Sequence, residues 1–428
     1  MSIDSATRKL YRIVEDGLCI GCGICQEIAG PDVIRVVPAK TGYEHPVVVG
    51  HLDDATVEKI YDVCPGTRVD GLPADCVDPE SKHDNVWGYW MRIARAWATD
   101  PQTRFEGSTG GVLTALAHYL LDSRQVDFIL HARPSSEQPS FGQAHISYST
   151  EDVNQGIGSR YGPTATLIDI NQALARQKPF AFIGTPCDIG ALRNYARLHG
   201  SVNEYVRYWL TPVCGGFMAP SSMNNFLQRI GIEPESVSAL RYRGRGCPGP
   251  TRVEHGAGVS EFHYLDFWGD DESQWGLPFR CKICPDGIGD SADIAASDTW
   301  PGGSPTRAGS VDDPGTNAII ARTRAGLELM ESAERKGYLT LEYDISPDEL
   351  SIYQPHQMRK KYSVWARHQG MLDEGLLAPV THGLRIAELA TELPEDTNSF
   401  QRQGTRIRIR QGKVQQPAPE PRSPTSDS

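Results

Sequence analysis

Cysteine spacing is the feature of this sequence that most restricts what the chain can fold into. Of its ten cysteines, three form the run Cys19-Ile-Gly-Cys22-Gly-Ile-Cys25, and a fourth follows as Cys64-Pro. Such a run wraps three thiolates around one side of a compact iron–sulfur cluster, and a distant Cys-Pro closes the other side. Zinc sites favour two C-x-x-C pairs, which this pattern does not match. The spacing therefore predicts a 4Fe–4S cluster held by these four cysteines in a ferredoxin-like module, with Cys76 as a spare.

Four further cysteines lie much later in the chain. Cys187 and Cys214 each follow a predicted strand, and Cys281 and Cys284 form a C-x-x-C pair. The carboxyl ends of neighbouring strands in an open α/β sheet converge on a crevice, so these four thiols can meet there and hold a second cluster. On spacing alone, a zinc site, a thiol–disulfide pair and inert buried cysteines remain open, and Cys247 is a fifth candidate ligand.

Composition and hydropathy restrict the partners and the compartment. With 428 residues, 39% of them hydrophobic, the chain is long enough for two or three domains with a sizeable core. A net charge of −12 argues against nucleic acid or an anionic membrane as the main partner. No stretch approaches the roughly 20 apolar residues of a membrane span, and the first ten residues lack the apolar centre of a signal peptide. We therefore expect a cytoplasmic protein, in which cysteine pairs serve metal or redox chemistry rather than structural disulfides.

Hydrophobic patterning divides the chain into four parts. Residues 1–78 form the ferredoxin-like module, and residues 86–357 alternate strands and helices, as is typical of an α/β domain (α+β overall) with a mainly parallel or mixed sheet. Residues 358–393 are interpreted as a C-terminal helical extension and residues 394–428 as a polar, largely disordered tail. Within the α/β domain the pattern predicts strands at 126–131, 179–184, 206–213 and 317–322, and helices at 112–121, 189–198, 222–230 and 325–336.

A glycine-rich segment, Gly107-Ser-Thr-Gly-Gly111, directly precedes the helix predicted from Val112. Backbone N–H groups at a helix N-terminus are free to donate, and the helix dipole favours an anion, so this segment suits a phosphate group. The alternative is a tight turn in which Ser108 or Thr109 caps the helix. The residues alone leave both interpretations open.

Five segments, in one order along the chain, resemble the coenzyme F420 hydrogenase/dehydrogenase β-subunit family over roughly residues 15–340. That family includes 7-hydroxymethyl chlorophyll a reductase and a ferredoxin-dependent divinyl chlorophyllide reductase. Its members bind FAD and one or more 4Fe–4S clusters, so the resemblance implies a flavin-binding mixed-sheet domain here. The resembling segments are STGGVLTALAHYLL at 108–121, GSRYGPT at 158–164, GTPCDIGALR at 184–193, CGGF at 214–217 and FRCKICPDGIGDSADIAASD at 279–298.

The resemblance also implies roles for individual residues. The FAD phosphates are expected at Ser108, Thr109, Gly110 and Gly111. The flavin is expected near Ser159, Arg160 and Tyr161, with Arg160 standing where many relatives have lysine. Asp293 and Asp298 belong to a motif that lines the family's site. The resemblance favours a second 4Fe–4S cluster on Cys187, Cys214, Cys281 and Cys284.

These parts suggest an iron–sulfur flavoprotein oxidoreductase. A ferredoxin-like donor would pass electrons through the 4Fe–4S clusters to FAD and then to a small organic acceptor, which makes the chain a ferredoxin-dependent reductase. The alternative is an electron-transfer β-subunit that docks on a partner subunit of a larger hydrogenase or dehydrogenase and reduces a deazaflavin or another carrier. No catalytic residue is assigned, although a proton donor is needed. The titratable residues near predicted strand ends or loops are His131, Tyr161, Asp188 and His263.

Overall fold

The computed structural model describes residues 4–39, 42–269, 275–310, 312–414, 416–417 and 419. The N-terminal module begins with α1, whose first turn is capped by the Asp4 carboxylate accepting from the Thr7 N–H at 2.8 Å. The module packs its helices around a short antiparallel hairpin, β1–β2. Its elements are α1 Ser5–Glu15, α2 Ile24–Ala29, β1 Ile34–Pro38, β2 Glu44–Val48, α3 Asp54–Val63 and β3 Arg68–Asp70.

The large α/β part of the chain begins with a short hairpin, β4–β5, and continues to Asp344 at the end of β16. Its elements, in chain order, are β4 Lys82–Asp84, β5 Gly88–Trp90, β6 Arg92–Ala98, α4 Pro101–Glu106, α5 Val112–Asp122, β7 Phe128–Pro134, β8 Gly142–Ser147, α6 Thr150–Asn154, α7 Ile170–Leu174, β9 Phe180–Ile183, α8 Pro186–Tyr195, α9 Ser201–Tyr205, β10 Val206–Pro212, α10 Pro220–Arg229, β11 Val237–Arg241, β12 Pro250–His255, β13 Gly258–His263, α11 Tyr264–Trp268, α12 Phe279–Lys282, β14 Ile294–Asp298, β15 Asn317–Ala321, α13 Arg324–Arg335 and β16 Leu339–Asp344.

An eight-stranded mixed sheet forms the centre of this domain, in the order β16-β6-β15-β14-β10-β9-β7-β8. Strands β7, β9, β10 and β14 are parallel neighbours, and the remaining pairs are antiparallel. Helices cover both faces of the sheet: on β7, Ile129 packs in one core with Leu116 of α5, and Phe128 packs in the other with Leu192 of α8. The predicted mixed α/β fold is confirmed.

Strand direction brings several loops to one edge of the sheet. Because β9, β10 and β14 are parallel, the residues that follow all three lie at their shared carboxyl edge. The antiparallel strand β15 begins at this same edge, where Asn317 pairs with Asp298, and Ala96 near the end of β6 pairs with Asn317 in turn. The predicted convergence of strand-end residues is therefore present in the structure.

The C-terminal part of the chain corrects one expectation. Residues 394–428 were expected to form a largely disordered tail, yet Glu395–Arg410 is a helix. It packs on the long preceding helix, and its Arg402 donates to Asp373 and its Arg406 to Glu374. Polar composition predicts disorder, because the inter-helix ion pairs that stabilise this helix depend on residues far away in the sequence. Residues 420–428 lie outside the described residues. The elements here are α14 Pro347–Tyr353, α15 Pro355–Asp373, β17 Val380–His382, α16 Ile386–Thr391 and α17 Glu395–Arg410.

The C-terminal extension also reaches back to the N-terminal module. Strand β17 pairs in parallel with β3, with Thr381 opposite Val69. Among the residues that the structure describes, no helix has both the length and the apolar character needed to cross a bilayer.

Candidate functional site

The first four cysteines converge on one small cavity. Cys19 and Cys22 lie in the loop between α1 and α2, Cys25 lies in the first turn of α2, and Cys64 ends α3. All four line a cavity whose other walls are largely apolar, from α1, α2, α3 and the β1–β2 hairpin. The structure therefore brings together the four thiols that the sequence pattern grouped.

Two glycines are required for this loop to close. Gly21 and Gly23 both have positive φ angles, +72° and +95°. A Cβ on Gly21 would lie 2.6 Å from the Glu44 carbonyl oxygen, and one on Gly23 would lie 2.8 Å from the Ile168 backbone nitrogen. Any larger residue would push the loop away from the hairpin and from the large domain.

The surroundings of the first four cysteines disfavour ionisation of the free thiols. Burial raises the pKa of Cys19 to about 12, and the neighbouring Cys64 adds to the rise. Burial likewise raises the pKa of Cys22 and Cys25, with Cys64 and other cysteines contributing. Backbone N–H groups point at the sulfurs, as Gly66 N–H does at 3.4 Å from Cys64 Sγ. Four thiolates around one small cavity would repel one another without a cation between them, whereas bonds to iron would neutralise them.

The second four cysteines also meet, at the carboxyl edge of the sheet. Cys187 lies in the first turn of α8 after β9, and Cys214 follows β10. Cys281 lies in α12, with Cys284 just beyond its end. Burial raises the pKa of Cys214 to about 12, and the neighbouring Cys281 and Cys284 side chains add to the rise. Burial also raises the pKa of Cys187, and Cys284 and Cys214 contribute.

Hydrogen bonds fix the loops that carry this second group. The Cys214 N–H donates to the Gly287 carbonyl at 2.7 Å, and the Gln357 side chain of α15 donates to the Cys214 carbonyl at 2.7 Å. The Thr185 hydroxyl lies 3.0 Å from Cys187 Sγ. Gln357 of α15 thus helps to hold the loop that carries Cys214.

Neither group is arranged for a single ion. No set of three or more His, Cys, Asp or Glu side chains within the described ranges lies close enough to bind one metal ion. In a 4Fe–4S cluster each cysteine binds a different iron, so the sulfurs stand farther apart than the ligands of one ion.

The two remaining cysteines lie elsewhere. Cys76 lies 3.9 Å from the guanidinium of Arg193, which stacks on the Trp209 ring. Burial raises the pKa of Cys247 to about 12, and the charges acting on it come from Arg243 and from acidic residues rather than from any of the four cysteines of the second group. Cys247 therefore belongs to a different part of the site.

The glycine-rich segment forms the loop between α4 and α5 at the same sheet edge. The buried Thr109 hydroxyl donates to Asp298 at 3.0 Å and accepts from the Asn317 side chain at 2.7 Å. The Ser108 hydroxyl accepts from the Ser159 N–H at 2.6 Å. A Cβ on Gly110 would lie 2.7 Å from the Asn317 side-chain oxygen, so this position needs glycine. Thr109 thus holds the loop against β14 and β15, and Ser108 holds it against the segment at Ser159.

The backbone of this loop keeps its donors free. In the part of the chain that the structure describes, the N–H groups of residues 108–111 donate to no protein acceptor. Gly111 has φ +71° and leads directly into α5, an 11-residue helix. Successive free N–H groups at the start of a helix form an anion site. The backbone of this loop therefore suits a phosphate-bearing group, while the Ser108 and Thr109 side chains bind other parts of the protein. The sequence left open a phosphate site or a tight turn held by these side chains, and the loop has features of both.

The three residues expected near the flavin lie beside this loop. Ser159 contacts Ser108 as described, and Tyr161 packs edge-on against Tyr242 and Trp268. Arg160 donates to the Leu240 carbonyl at 2.9 Å, and burial lowers its pKa to about 10. The structure brings these residues and residues 108–111 to one place.

Arg243 is a central residue that the sequence did not single out. It is only 3% exposed, and it donates to the Ser108 carbonyl at 2.8 Å, the Tyr161 hydroxyl at 3.0 Å and Asp298 at 3.0 Å. Its guanidinium also lies 4.7 Å from the centre of the Trp300 ring. The only signal was the glycine-rich run RGRGCPG around it, which indicates a tight loop but not which arginine is buried.

The residues considered as proton donors are distributed over several elements. His131 is buried and hydrogen-bonds the Ser147 hydroxyl at 2.7 Å, and burial lowers its pKa to about 4. Asp188 accepts from Thr185 at the start of α8, and burial raises its pKa to about 6. The His263 ring accepts from the Leu265 N–H at the start of α11. Tyr161 is the one whose hydroxyl accepts a hydrogen bond from Arg243, beside the glycine-rich loop.

Family comparison covers most of the large domain. A model described as the N-terminal part of the coenzyme F420 hydrogenase/dehydrogenase β-subunit matches residues 93–170, and its C-terminal counterpart matches residues 177–346. Together the two matches cover more than half of the sequence. The chain belongs to this family. The matched range contains the second cysteine group and the glycine-rich loop, while the first cysteine group lies before it.

Curated relatives carry related names. The coenzyme F420-dependent sulfite reductase of Methanocaldococcus jannaschii is 23% identical over 351 residues, covering 78% of this chain and 49% of that protein. The F420-dependent formate dehydrogenase β-subunit of the same organism is 26% identical, covering 63% of this chain and 65% of that protein. The coenzyme F420 hydrogenase β-subunit of Methanothermobacter thermautotrophicus is 21% identical, covering 59% of this chain and 84% of that protein. This family member thus spans about half to two-thirds of the first two relatives.

A solved structure agrees on the fold. One chain of the F420-reducing nickel–iron hydrogenase complex from Methanosarcina barkeri superposes with a TM-score of 0.51 at 20% identity. The superposition covers 65% of the family member described here and 92% of the hydrogenase chain. It supports the mixed-sheet architecture that positions the site.

Proposed function

We propose that this chain is an iron–sulfur flavoprotein oxidoreductase that takes electrons from a ferredoxin-like donor and delivers them to a small organic acceptor. The observation that carries the proposal is the convergence of eight cysteines into two groups of four, the second of which lies at the same sheet edge as a loop with free backbone donors. The first cluster would be held by Cys19, Cys22, Cys25 and Cys64, and the second by Cys187, Cys214, Cys281 and Cys284. FAD would bind at residues 108–111 and 159–161.

The bound groups would supply one-electron transfer at the clusters and the exchange between one and two electrons at the flavin. The protein's contribution is to hold and insulate them. Apolar side chains around the first cysteine group exclude water, and N–H groups directed at sulfur stabilise the charged form. Gln357 and Thr185 perform the corresponding positioning at the second group.

Two features support a flavin at the third place. The free N–H groups of residues 108–111 suit a diphosphate, and the Arg243 guanidinium supplies a fixed positive charge beside them. Arg243 keeps an unpartnered Nε within the described residues, although the atom is buried. The surrounding rings of Tyr161, Trp268 and Trp300 offer flat apolar surfaces for a planar ring system.

A second function is favoured by the relatives. Three curated relatives are named as β-subunits of hydrogenases or formate dehydrogenases that use coenzyme F420. The alternative is therefore an electron-transfer subunit that exchanges electrons between a larger complex and a deazaflavin. The ferredoxin-like module at the N-terminus favours the first function because it supplies its own entrance for electrons.

Anaerobic purification of the full chain, with iron, sulfide and flavin quantified per chain, tests the proposal. We expect about eight irons, about eight sulfides and one FAD. A content of about four irons per chain would contradict the assignment of one of the two clusters, and absence of flavin would contradict the proposed flavin-dependent reductase.

The electron partners are tested on the same preparation. Reduced ferredoxin and reduced coenzyme F420 are supplied separately, and bleaching of the flavin absorbance is followed in each case. Rapid bleaching by ferredoxin alone supports the first function. Rapid bleaching by reduced F420, together with a second polypeptide that co-purifies, supports the second and contradicts the ferredoxin-dependent reductase.

A further inference from the structure

Arg280 lies between the two cysteine groups. Its side chain is only 2% exposed, and its own backbone directly precedes Cys281 of the second group. Its Nε and Nη2 atoms both donate to the Pro65 carbonyl oxygen, at 3.2 Å and 2.6 Å. Pro65 directly follows Cys64 of the first group. Arg280 is therefore next to Cys281 of the second group in the chain, and its guanidinium is hydrogen-bonded to the residue that follows Cys64 of the first group.

The charge of Arg280 has an unusual environment. In the described part of the chain, its guanidinium donates to the Pro65 carbonyl oxygen and interacts with the Cys284 side chain, and no carboxylate forms an ion pair with it. A buried guanidinium needs a negative partner, because transfer from water into the interior is otherwise very costly. The groups around the guanidinium that can carry negative charge are cysteines of the second group, Cys284, Cys187 and Cys281. Toward the first group, the guanidinium is bound to the carbonyl of the residue after Cys64, and its charge reaches the Cys64 side chain.

We propose that Arg280 is a counter-cation shared by both clusters and that it links them structurally through the path Cys281–Arg280···O=C of Pro65–Cys64. This inference rests on the proposed function, since it needs both clusters to be present. Each cluster gains one electron on reduction, and no bond forms or breaks. The added negative charge is stabilised by a nearby fixed cation, so Arg280 raises the reduction potential of both clusters.

Lys360 provides a matched comparison. It lies on α15 and acts as a positive charge on Cys214 and Cys281 of the second group. It is not among the largest influences on Cys64, whereas Arg280 is. Removing the Lys360 charge should therefore affect one cluster, whereas removing the Arg280 charge should affect two.

The test is a redox titration of the full holoprotein, followed by electron paramagnetic resonance of the reduced clusters. Wild type, Arg280→Gln, Arg280→Lys and Lys360→Gln are compared, and the two signals are assigned with Cys64→Ser, which keeps only the second cluster. We expect Arg280→Gln to lower both reduction potentials, Arg280→Lys to restore most of the shift, and Lys360→Gln to lower only that of the second cluster. Unchanged potentials in Arg280→Gln, or a shift in one cluster alone, would overturn the inference.

If the Arg280→Gln variant loses a cluster, the Arg280→Lys variant shows whether the charge or the shape of the side chain is responsible. If Arg280→Gln loses iron and Arg280→Lys keeps it, a positive charge is needed at this position, and the inference is supported. If both variants lose iron, the shape of arginine rather than its charge is what matters, and the inference fails. A wild-type protein with fewer than two clusters would instead contradict the proposed function, and the iron count shows this before any variant is made.

Discussion

The ammonium group of Lys361 donates a hydrogen bond to a carboxylate oxygen of Asp290 at 2.8 Å, and both side chains are almost completely buried. Arg385 donates to the same oxygen at 2.7 Å. Lys361 lies on α15, Arg385 begins α16, and Asp290 lies in the loop between the second cysteine group and β14. The C-terminal helices are therefore attached to the site by buried charge rather than by surface packing alone.

Replacement of Asp290 by asparagine tests this attachment. The change leaves two buried cations without their carboxylate, so we expect the free energy of unfolding to fall by about 3–5 kcal/mol. Urea unfolding followed by circular dichroism measures the loss. Asp344→Asn is the matched control, because Asp344 pairs with Arg92 at the surface and should cost no more than about 1 kcal/mol. Similar losses in the two variants would contradict a special role for the buried pair.

Acid should weaken the same attachment. Burial acts to raise the pKa of Asp290, but Lys361 and Arg385 outweigh it and hold the pKa well below its ordinary value. A carboxylate with a depressed pKa in the folded state contributes stability that is fully present above its unfolded pKa, about 3.9, and is lost as the pH falls below that value. The free energy of unfolding should therefore drop between pH 5 and pH 3 by more in wild type than in Asp290→Asn. Parallel pH profiles would show that other groups control acid unfolding.

The Thr109 hydroxyl should be needed for the shape of the glycine-rich loop. Thr109→Val removes the bonds to Asp298 and Asn317, and we expect a loss of about 1–3 kcal/mol in stability together with lower flavin content per chain. Urea midpoints and the flavin absorbance of the purified protein measure the two effects. The control is Thr340→Val, whose hydroxyl contacts Thr99 at the surface and should change stability by less than about 0.5 kcal/mol. Full flavin content in Thr109→Val would separate the loop from cofactor binding.

Single cysteine replacements should divide the iron content. Cys64→Ser and Cys284→Ser should each lose about four of about eight irons per chain, because each removes one ligand of a different cluster. Cys76→Ser should keep all of them, since Cys76 contacts Arg193 and lies outside both groups. Iron and sulfide assays on anaerobically purified protein measure the outcome. Iron loss from Cys76→Ser, or full iron in Cys284→Ser, would require a different set of ligands.

Much of the site could be anticipated from local patterns. The C-x-x-C-x-x-C run places Cys19, Cys22 and Cys25 within a few residues, so their proximity follows from chain connectivity alone. Strand-end positions for Cys187 and Cys214 followed from hydrophobic runs that end in glycine or proline, and the parallel pairing of β9 with β10 confirms the adjacency. The extent of α5, Val112–Asp122, differs from the predicted 112–121 by one residue.

Other features could not be anticipated, because they depend on residues far apart in the sequence. Polar helix α17 had no apolar stripe to signal it, and it is held by ion pairs to Asp373 and Glu374 on α15. Arg243 is one of three arginines within five residues, and only the packing of Tyr161 and Trp300 around it distinguishes it from the others.

The sequence by itself determined which residues have the chemistry: eight cysteines in two spacing patterns, a glycine-rich segment before a helix, and alternating strands and helices. These are local properties, because a cysteine ligand, a glycine that forms a turn and a hydrophobic period can each be recognised from a few neighbouring residues. The tertiary structure alone decided which of them meet. It placed the two cysteine groups on either side of Arg280, and it brought Arg243 and Asp298 to the loop at residues 108–111. Such contacts join segments more than a hundred residues apart, and only strand order and side-chain burial can bring them together.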